Sequence, residues 1–499
     1  MTTGCLNYAP RLSTALPRLP PTTANSEGVA DEIAARWRPS KPTIVFAGPG
    51  NNGADALATA RLLHDHGFRP SIYLFNIGGD KLSGECAAVR DRLLEMVPDA
   101  DFHEVTSRFT PPDITSSHLI VDGLFGAGLR EELRGGFQSL VQYINDEKPT
   151  VVSIDLPSGM FGDWNPRIVN RNTIHATLTL AIQFPRLCFF IPDNAELVGE
   201  WKTLDVGLSQ QAIASLPAEF CLVEKRDIHR RLRHRKEFAS KADFGTAILY
   251  AGSYGMMGAA VLAAKGALRG GVGKLTVSSP KWGYQILQTA VPEAMYRNNR
   301  GDACLTEIHP ERDFSAIAIG PGIGTNEMTV KALEDFLSSI DKPVILDADA
   351  LNCIALRPAM LNNIPILSVM TPHAGEFDRM FGPQPSSEAR LRKAIEMAKY
   401  YNILIILKGR YTAIVRPDGK IYFNSSGCPA MATPGSGDVL TGLLLAMMAQ
   451  GYPAEIASII AVYIHGVAGE MAQAEHGEYG VTAGDIAANI GRAIRETMK

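Results

Sequence analysis

The chain contains no Cys-x-x-Cys pair, and its seven cysteines, at positions 5, 86, 188, 221, 304, 353 and 428, are odd in number and widely scattered. That pattern speaks against a disulfide framework and a zinc knuckle, and a reducing cytoplasm is the expected location. No apolar run approaches the roughly 20 residues that a membrane helix needs. The longest, Ile403 to Leu407 and Leu443 to Ala449, read as a core strand and a core helix. The first twenty residues hold three prolines and no apolar block of the signal-peptide kind, so no secretion is expected. Charge of one sign is lacking as well: 48 Lys and Arg against 52 Asp and Glu leave −4, with no global drive toward nucleic acid or an anionic membrane. With 46% hydrophobic and 20% charged residues, extended disorder is excluded.

What is present is length, 499 residues, and 46 glycines. Short β-branched runs alternate with helix-period segments, the pattern of mostly parallel sheets covered by helices. Strands are expected at Thr43 to Ala47, Ser71 to Phe75, Leu119 to Val121, Thr150 to Ile154 and Thr177 to Ile182, with a helix over Ala54 to Gly67 making a βαβ unit. The pattern restarts at Thr246 to Ala251, followed by Lys274 to Val277, Ala316 to Ile319, Val344 to Leu346, Ile366 to Met370 and Ile403 to Leu407. Two α/β domains in tandem follow, over residues 1–224 and 235–499. Between them, Lys225 to Lys236 has seven Lys or Arg in twelve positions and reads as a solvated linker rather than a phosphate- or nucleic-acid-binding arm.

In the first domain, Gly48-Pro49-Gly50-Asn51-Asn52-Gly53-Ala54-Asp55 follows a strand and opens a helix. Small residues there admit a ligand close to the backbone, and free N–H groups with the helix dipole favour an anion. Asp122 ends a buried strand and leads into Gly123 to Leu129; Asp155 ends another and enters Leu156-Pro157-Ser158-Gly159. Ligands of open α/β sheets bind beyond the carboxyl ends of strands, so three such loops can converge on one crevice.

The second domain carries Ala432-Thr433-Pro434-Gly435-Ser436-Gly437-Asp438-Val439-Leu440-Thr441-Gly442. Gly435 to Gly437 offer backbone N–H groups at a helix start to a transferring phosphoryl group. Asp438, in the first turn, can take the proton of an attacking hydroxyl. His373 follows a strand and is expected to face the crevice as a ligand contact rather than to make a structural hydrogen bond, and Lys408 ends a strand where an ammonium can meet phosphate or simply be solvated. Asp347 and Asp349 are open between turn caps and ligands. His465 and His476, eleven apart, lack ligand spacing and read as structural.

These strings carry a resemblance. GPGNNGADAL, DGLFGAGL and SIDLPSG resemble the signatures of NAD(P)H-hydrate epimerase domains, over about residues 25–210. The resemblance implies a Rossmann-like three-layer domain in which Asn52, Asp122 and Ser158 hold a potassium ion. It also implies that Asn51, Asn52, Gly53, Ala54, Asp55, Gly126, Ala127, Gly128, Leu129, Arg130, Glu131, Glu132 and Asp155 contact the hydrate, with Asp155 transferring the proton. The family's Gly-Gly-Asp-Gly stands here as Gly53-Ala54-Asp55-Ala56, and its Leu-Met-Glu-Arg-Ala-like helix as Asn25-Ser26-Glu27-Gly28-Val29-Ala30. AGSYGMMGAAVLAAKGALRGGVG, IGPGIG, LDADALN, TPHAGE, LKGRYT and the Gly-Ser-Gly-Asp string resemble the ADP- or ATP-dependent NAD(P)H-hydrate dehydratases of ribokinase-like fold, from about residue 235 to the end. By that resemblance Ala260, Gly322, His373 and Asp438 bind the hydrate. Lys408, Gly409, Arg410, Tyr411, Thr412 and Gly437 bind the nucleotide, Asp438 is the base, and magnesium accompanies the phosphates. The implied substrates are hydrated NADH and NADPH with ADP or ATP; a homo-oligomer with neither nucleic acid nor membrane as partner is expected. An alternative reading is a ribokinase-like small-molecule kinase with a non-catalytic nucleotide-binding first domain.

Overall fold

Strand Thr43–Ala47 buries all five of its residues, and its side chains alternate between two cores: Val45 and Ala47 join Leu57, Leu63 and Val152, whereas Ile44 and Phe46 join Ile120, Leu140 and Val151. That two-sided burial is why the run is continuously apolar, as in parallel sheets covered on both faces. The computed structural model describes residues 4–6, 24–79, 81–165, 170–216, 218–309 and 313–499. The first unit has a seven-stranded parallel sheet in the order Phe102–Val105, Ser71–Phe75, Thr43–Ala47, Leu119–Gly123, Thr150–Ile154, Leu178–Ile182, Glu200–Leu204. The chain runs outward in both directions from Thr43–Ala47, so the switch point of the sheet lies between that strand and Leu119–Gly123.

Helix Asn51–Asp65 starts three residues earlier than the sequence pattern implies. Its opening turn is pressed against the incoming strand end: a β-carbon on Gly53 would lie 1.7 Å from the Gly48 carbonyl oxygen. Because the obstacle is backbone, no side-chain rotation relieves it. Gly53→Ala is therefore expected to destabilise the first unit by about 3 kcal/mol. Thermal unfolding should show it, and an unchanged melting profile would mean that the loop yields without cost.

The main division of the chain falls between Ala218 and Glu219, so Phe220–Val223, counted with the first domain from the sequence, is a strand of the second unit. The second sheet has eleven strands, running from Gly4–Leu6 at one edge through Phe220–Val223, Ile421–Asn424, Ala413–Val415, Leu404–Leu407, Val369–Met370, Ile345–Leu346, Ala316–Ile319, Thr246–Tyr250 and Lys274–Pro280 to Met295–Asn299. Among the pairings described, Ala413–Val415 alone is antiparallel to its neighbours. Helices Met257–Arg269 and Ser436–Ala449 cross closely, with Gly442 against the backbone of Ala263 and Ala267 and Gly266 against Val439. Helix Ala454–His476, 23 residues long, is long and apolar enough to cross a membrane by length and composition only, contrary to the absence expected from the sequence. Its apolar window is 67% buried, packed against Ala483–Thr497 and Ser436–Ala449, as a core helix is.

The basic stretch is largely exposed, as a solvated segment is, but it is folded onto the second unit and is not a free linker. It opens with helix Lys225–His229, capped reciprocally by Glu224 and Asp227. It then lies against the second unit: the Arg233 guanidinium sits 4.3 Å from the Tyr452 ring centre and that of Arg235 3.7 Å from Phe244. Arg235 also donates to the Gly271 carbonyl at 2.6 Å, just past the end of helix Met257–Arg269. Cations suit that place because helix C-termini carry partial negative charge.

Candidate functional site

In the first unit, the two loops that follow strands Leu119–Gly123 and Thr150–Ile154 are tied together through Asp122. This carboxylate, 1% exposed, accepts from Ser158 Oγ at 2.5 Å and Leu124 N at 3.3 Å on one oxygen, and from Ser153 Oγ at 2.8 Å and Ser158 N at 2.9 Å on the other. Burial pushes its pKa up against those four bonds. Ser158 Oγ in turn accepts from Phe125 N at 2.9 Å and lies 3.2 Å from the Phe125 carbonyl. Nearby, the Asn52 amide is buried with its Nδ2 unpartnered, and a β-carbon on Gly126 would stand 3.1 Å from its Oδ1. The sequence-predicted trio Asn52, Asp122 and Ser158 thus belongs to neighbouring loops, with the Phe125 carbonyl beside Ser158. The oxygens gathered there, Asn52 Oδ1, Ser158 Oγ, the Asp122 carboxylate and the Phe125 carbonyl, are the kind that a hard monovalent cation accepts.

Asp155 sits one step beyond its strand with φ of +65° and is 8% exposed. Its Oδ1 accepts from Arg186 Nη2 at 2.7 Å and its Oδ2 from Ala127 N at 3.3 Å, which draws the Gly126–Leu129 loop to it. Asp55 is 8% exposed, and burial lifts its carboxyl to about 7, with the Asn25 amide at 3.4 Å opposing and the charge of Asp155 adding. Ser26 Oγ donates to the Asp55 carbonyl, so the Asn25–Ala30 stretch is attached to this site. Ala54 and Ala56 turn their methyls into the core, and Ala54 N–H bonds to Gly50 O. Ala54 therefore does not offer a side chain or an amide to the crevice, and the two methyls do not obstruct it. Gly128, Arg130, Glu131 and Glu132 are exposed and form no hydrogen bond or ion pair with the other strand-end loops among the described residues.

In the second unit, helix Ser436–Ala449 begins after Gly435, which has φ of +86° and no side-chain cap. The Ser436 N–H turns back to Thr433 O at 3.3 Å, while Gly437 and Asp438, in the first turn, lie before any intrahelical acceptor. The Asp438 carboxylate has no hydrogen-bond donor among the described residues. Burial, then the charge of Asp347, lifts it to about 7 against the pull of Lys408, with Asp349 and Glu376 adding. Lys408 Nζ lies 3.0 Å from Asp347 and 3.6 Å from Glu376; burial would lower it, but those carboxylates and Asp438 hold it above the usual lysine value. A β-carbon on Gly437 would stand 3.4 Å from that ammonium, so the cation and the open helix start share one space.

His373 is half exposed, but its Nδ1 accepts from Gly375 N at 3.0 Å and Glu376 N at 3.3 Å, so it caps helix Ala374–Phe381. Sequence reasoning set a structural bond against ligand contact; the cap uses one ring nitrogen and leaves the other 3.5 Å from Glu376 Oε1. Ala260 has no exposed surface. Gly322 is joined to the loop after Thr246–Tyr250 by Ser253 Oγ at 2.8 Å. In Lys408–Thr412, Thr412 Oγ1 closes the turn onto Gly409 O at 2.9 Å, and Arg410 lies over the Tyr411 ring. His465 is buried 3.4 Å from Ser436 Oγ and pushed down to about 4 by burial, so it is neutral under the helix start.

Arg186, Thr441, Asn25 and Glu376 were not singled out by sequence reasoning. Arg186 follows strand Leu178–Ile182, adjacent to the strand that Asp155 ends, so the strand-end rule applied once more would have reached it. Thr441 and Glu376 stand inside quoted motifs, one turn from the residues that drew notice.

A family model described as NAD(P)H-hydrate dehydratase matches residues 247–492, and one described as YjeF-related protein N-terminus matches residues 23–188. The bifunctional NAD(P)H-hydrate repair enzyme of Thermofilum pendens is 32% identical over 466 residues, 90% of this chain and 87% of its own length. That of Moorella thermoacetica is 30% identical over 464 residues, 89% and 85% respectively. Among solved structures, the ADP/ATP-dependent NAD(P)H-hydrate dehydratase of Bacillus subtilis co-crystallised with ATP and Mg2+ is 34% identical, with a TM-score of 0.49 over 55% of this chain and 97% of that one.

Proposed function

The chain belongs to the bifunctional NAD(P)H-hydrate repair enzymes, and from that premise we propose a division of labour between its two crevices. The first unit interconverts the R and S hydrates of NADH and NADPH, with Asp155 transferring the proton. The second dehydrates the S hydrate at the expense of ADP or ATP, with Asp438 as base. The observation that carries the reading is the Asp438 carboxylate: without a donor among the described residues, raised to about 7, and in the first turn of an uncapped helix start beside Lys408.

Hydration of the nicotinamide ring leaves a hydroxyl on carbon, a poor leaving group. Asp438 accepts its proton as the oxygen attacks the terminal phosphorus, and the phosphorus–oxygen bond to the rest of the nucleotide breaks, giving AMP from ADP. The phosphate then departs with the carbon–oxygen electron pair, the ring nitrogen supplies electron density, and loss of the neighbouring proton restores the double bond. The N–H groups at Gly435 to Gly437 and the Lys408 ammonium stabilise charge on the phosphoryl oxygens. Lys408 to Thr412 hold the nucleotide, and Gly322 and His373 border the hydrate. Asp347 and Asp349 have their oxygens committed to protein donors, so magnesium would be carried mainly by the phosphates, whose charge it offsets.

In the first unit, Asn52, Asp122, Ser158 and the Phe125 carbonyl would hold potassium, whose charge would balance Asp122 where the loops meet. Asn51, Asn52, Gly53, Asp55 and Gly126 to Leu129 bind the hydrate, and Arg186 holds the Asp155 carboxylate in place. Supplied with mixed R and S hydrates, magnesium and either ADP or ATP, the protein is expected to restore the reduced-nicotinamide absorbance completely. Failure to recover the S hydrate with either nucleotide sinks the dehydratase assignment. Recovery of S with R lost no faster than spontaneously reduces the first unit to a binding module. A stable phosphorylated product would instead favour the kinase alternative.

A further inference from the structure

Asp347, in the LDADALN string, is 1% exposed, and both of its oxygens are committed inside the protein. Oδ1 accepts from Lys408 Nζ at 3.0 Å and Oδ2 from Thr441 Oγ1 at 2.6 Å. Thr441 lies on the helix that Asp438 opens, three residues further on, and Lys408 ends strand Leu404–Leu407. One carboxylate at the end of strand Ile345–Leu346 therefore joins the cation of one loop to the helix that bears the base. Glu376 reaches the same ammonium at a longer 3.6 Å while accepting from the His373 N–H at 2.8 Å, so it is shared with the cap of another helix. Asp347 is the link between Lys408 and the Asp438 helix.

The local backbone is built around this placement. Ala348, which follows, has φ of +49°, a left-handed value that a β-carbon disfavours. Such a conformation persists where its surroundings hold it, and here the Asp347 N–H bonds to Ile319 O at 3.1 Å while Leu351 N bonds back to Ala348 O at 3.0 Å. The strained turn keeps the Asp347 carboxylate beneath the site and points the chain on into helix Asp349–Leu356.

We propose that Asp347 is a positioning residue of the dehydrating site, holding the Lys408 ammonium and the Asp438-bearing helix in one fixed relation so that cation and base meet the phosphoryl group and the hydroxyl together. It touches neither substrate. The inference rests on the reading of Asp438 as base. The charged groups around Asp438 are Asp347, Asp349, Glu376 and Lys408; of the three carboxylates, Asp347 contributes the largest upward influence on it.

The test is kinetic, on the full-length protein with S hydrate, magnesium and ADP or ATP. Asp347→Asn is expected to lower kcat of dehydration about a hundredfold, the scale of a misplaced reacting group. It should also move the acid limb of the kcat/KM profile to lower pH, because a negative charge near the base is gone. Thr441→Val breaks only the helix side of the link and should lower kcat with the limb unmoved, whereas Thr441→Ser, which keeps the hydroxyl, should restore it. If Asp347→Asn does not fold, the Thr441 pair still decides: equal kcat for Val and Ser overturns the proposal. So does an Asp347→Asn protein with wild-type kcat and an unmoved limb. Asp438→Asn run in parallel keeps the two ideas apart, since dehydration surviving in that variant overturns the base assignment itself.

Discussion

Asp438→Asn is expected to lower the dehydration rate about a thousandfold or more, within the range that a positioned general base contributes. Asparagine keeps the size of the side chain and the open helix start, so nucleotide binding should survive while the proton acceptor is lost. Epimerisation should be untouched, because its carboxylates lie in the other unit. Wild-type enzyme should gain activity as pH rises through about 7, where burial and Asp347 have placed the Asp438 carboxyl. The same shift predicts a stability effect of definite sign. A carboxyl raised from 3.8 in the unfolded chain to about 7 in the folded one removes stability as pH climbs between those values. The Asn variant, which has no proton to lose, should melt higher than wild type above about pH 7, with the difference shrinking toward pH 4. A variant that is inactive but no more stable at alkaline pH would mean that solvent screens the ionised carboxylate.

The central strands of both sheets were legible because burial on both faces makes them continuously apolar: Thr43–Ala47, Thr150–Ile154 and Ala316–Ile319 are read correctly to the residue. The edge strands were not. Phe102–Val105, Glu200–Leu204 and Met295–Asn299 are only partly buried, and their polar residues look like loop. Strand Phe220–Val223 is buried but lies next to the basic run, whose charge suggested a boundary too late in the chain. At the sites, the glycine and aspartate strings at strand ends gave the crevices, since the geometry of open sheets leaves few other places for a ligand. What the spacing did not carry was long-range pairing. Asp347 with Thr441 spans 94 residues and Asp155 with Arg186 spans 31, and only folding brings such partners together. The same holds for His373, whose capping role depends on the turn of the chain after Met370.

In the first unit the largest single loss is expected from Asp155→Asn. The Arg186 guanidinium is buried, its Nε has no partner, and Asp155 Oδ1 at 2.7 Å is its counter-charge. Removing one partner of a buried pair leaves the other charge uncompensated, which costs 3–5 kcal/mol in typical cases. Because asparagine retains an oxygen for Nη2 and tolerates the left-handed backbone of position 155, about 3 kcal/mol is the expected loss in unfolding free energy. The catalytic loss should be larger, a hundredfold or more in epimerisation, since the amide cannot carry the proton. Dehydration of S hydrate by the second unit should proceed at the wild-type rate, which rules out general misfolding as the cause. Arg186→Met supplies the control: it leaves the Asp155 carboxylate buried without its cation, so it should destabilise the unit. Were Asp155→Asn to epimerise at the wild-type rate, the proton would have to move elsewhere. A further buried carboxyl beside the crevice is Asp55, lifted to about 7 by its burial, with the Asn25 amide against it.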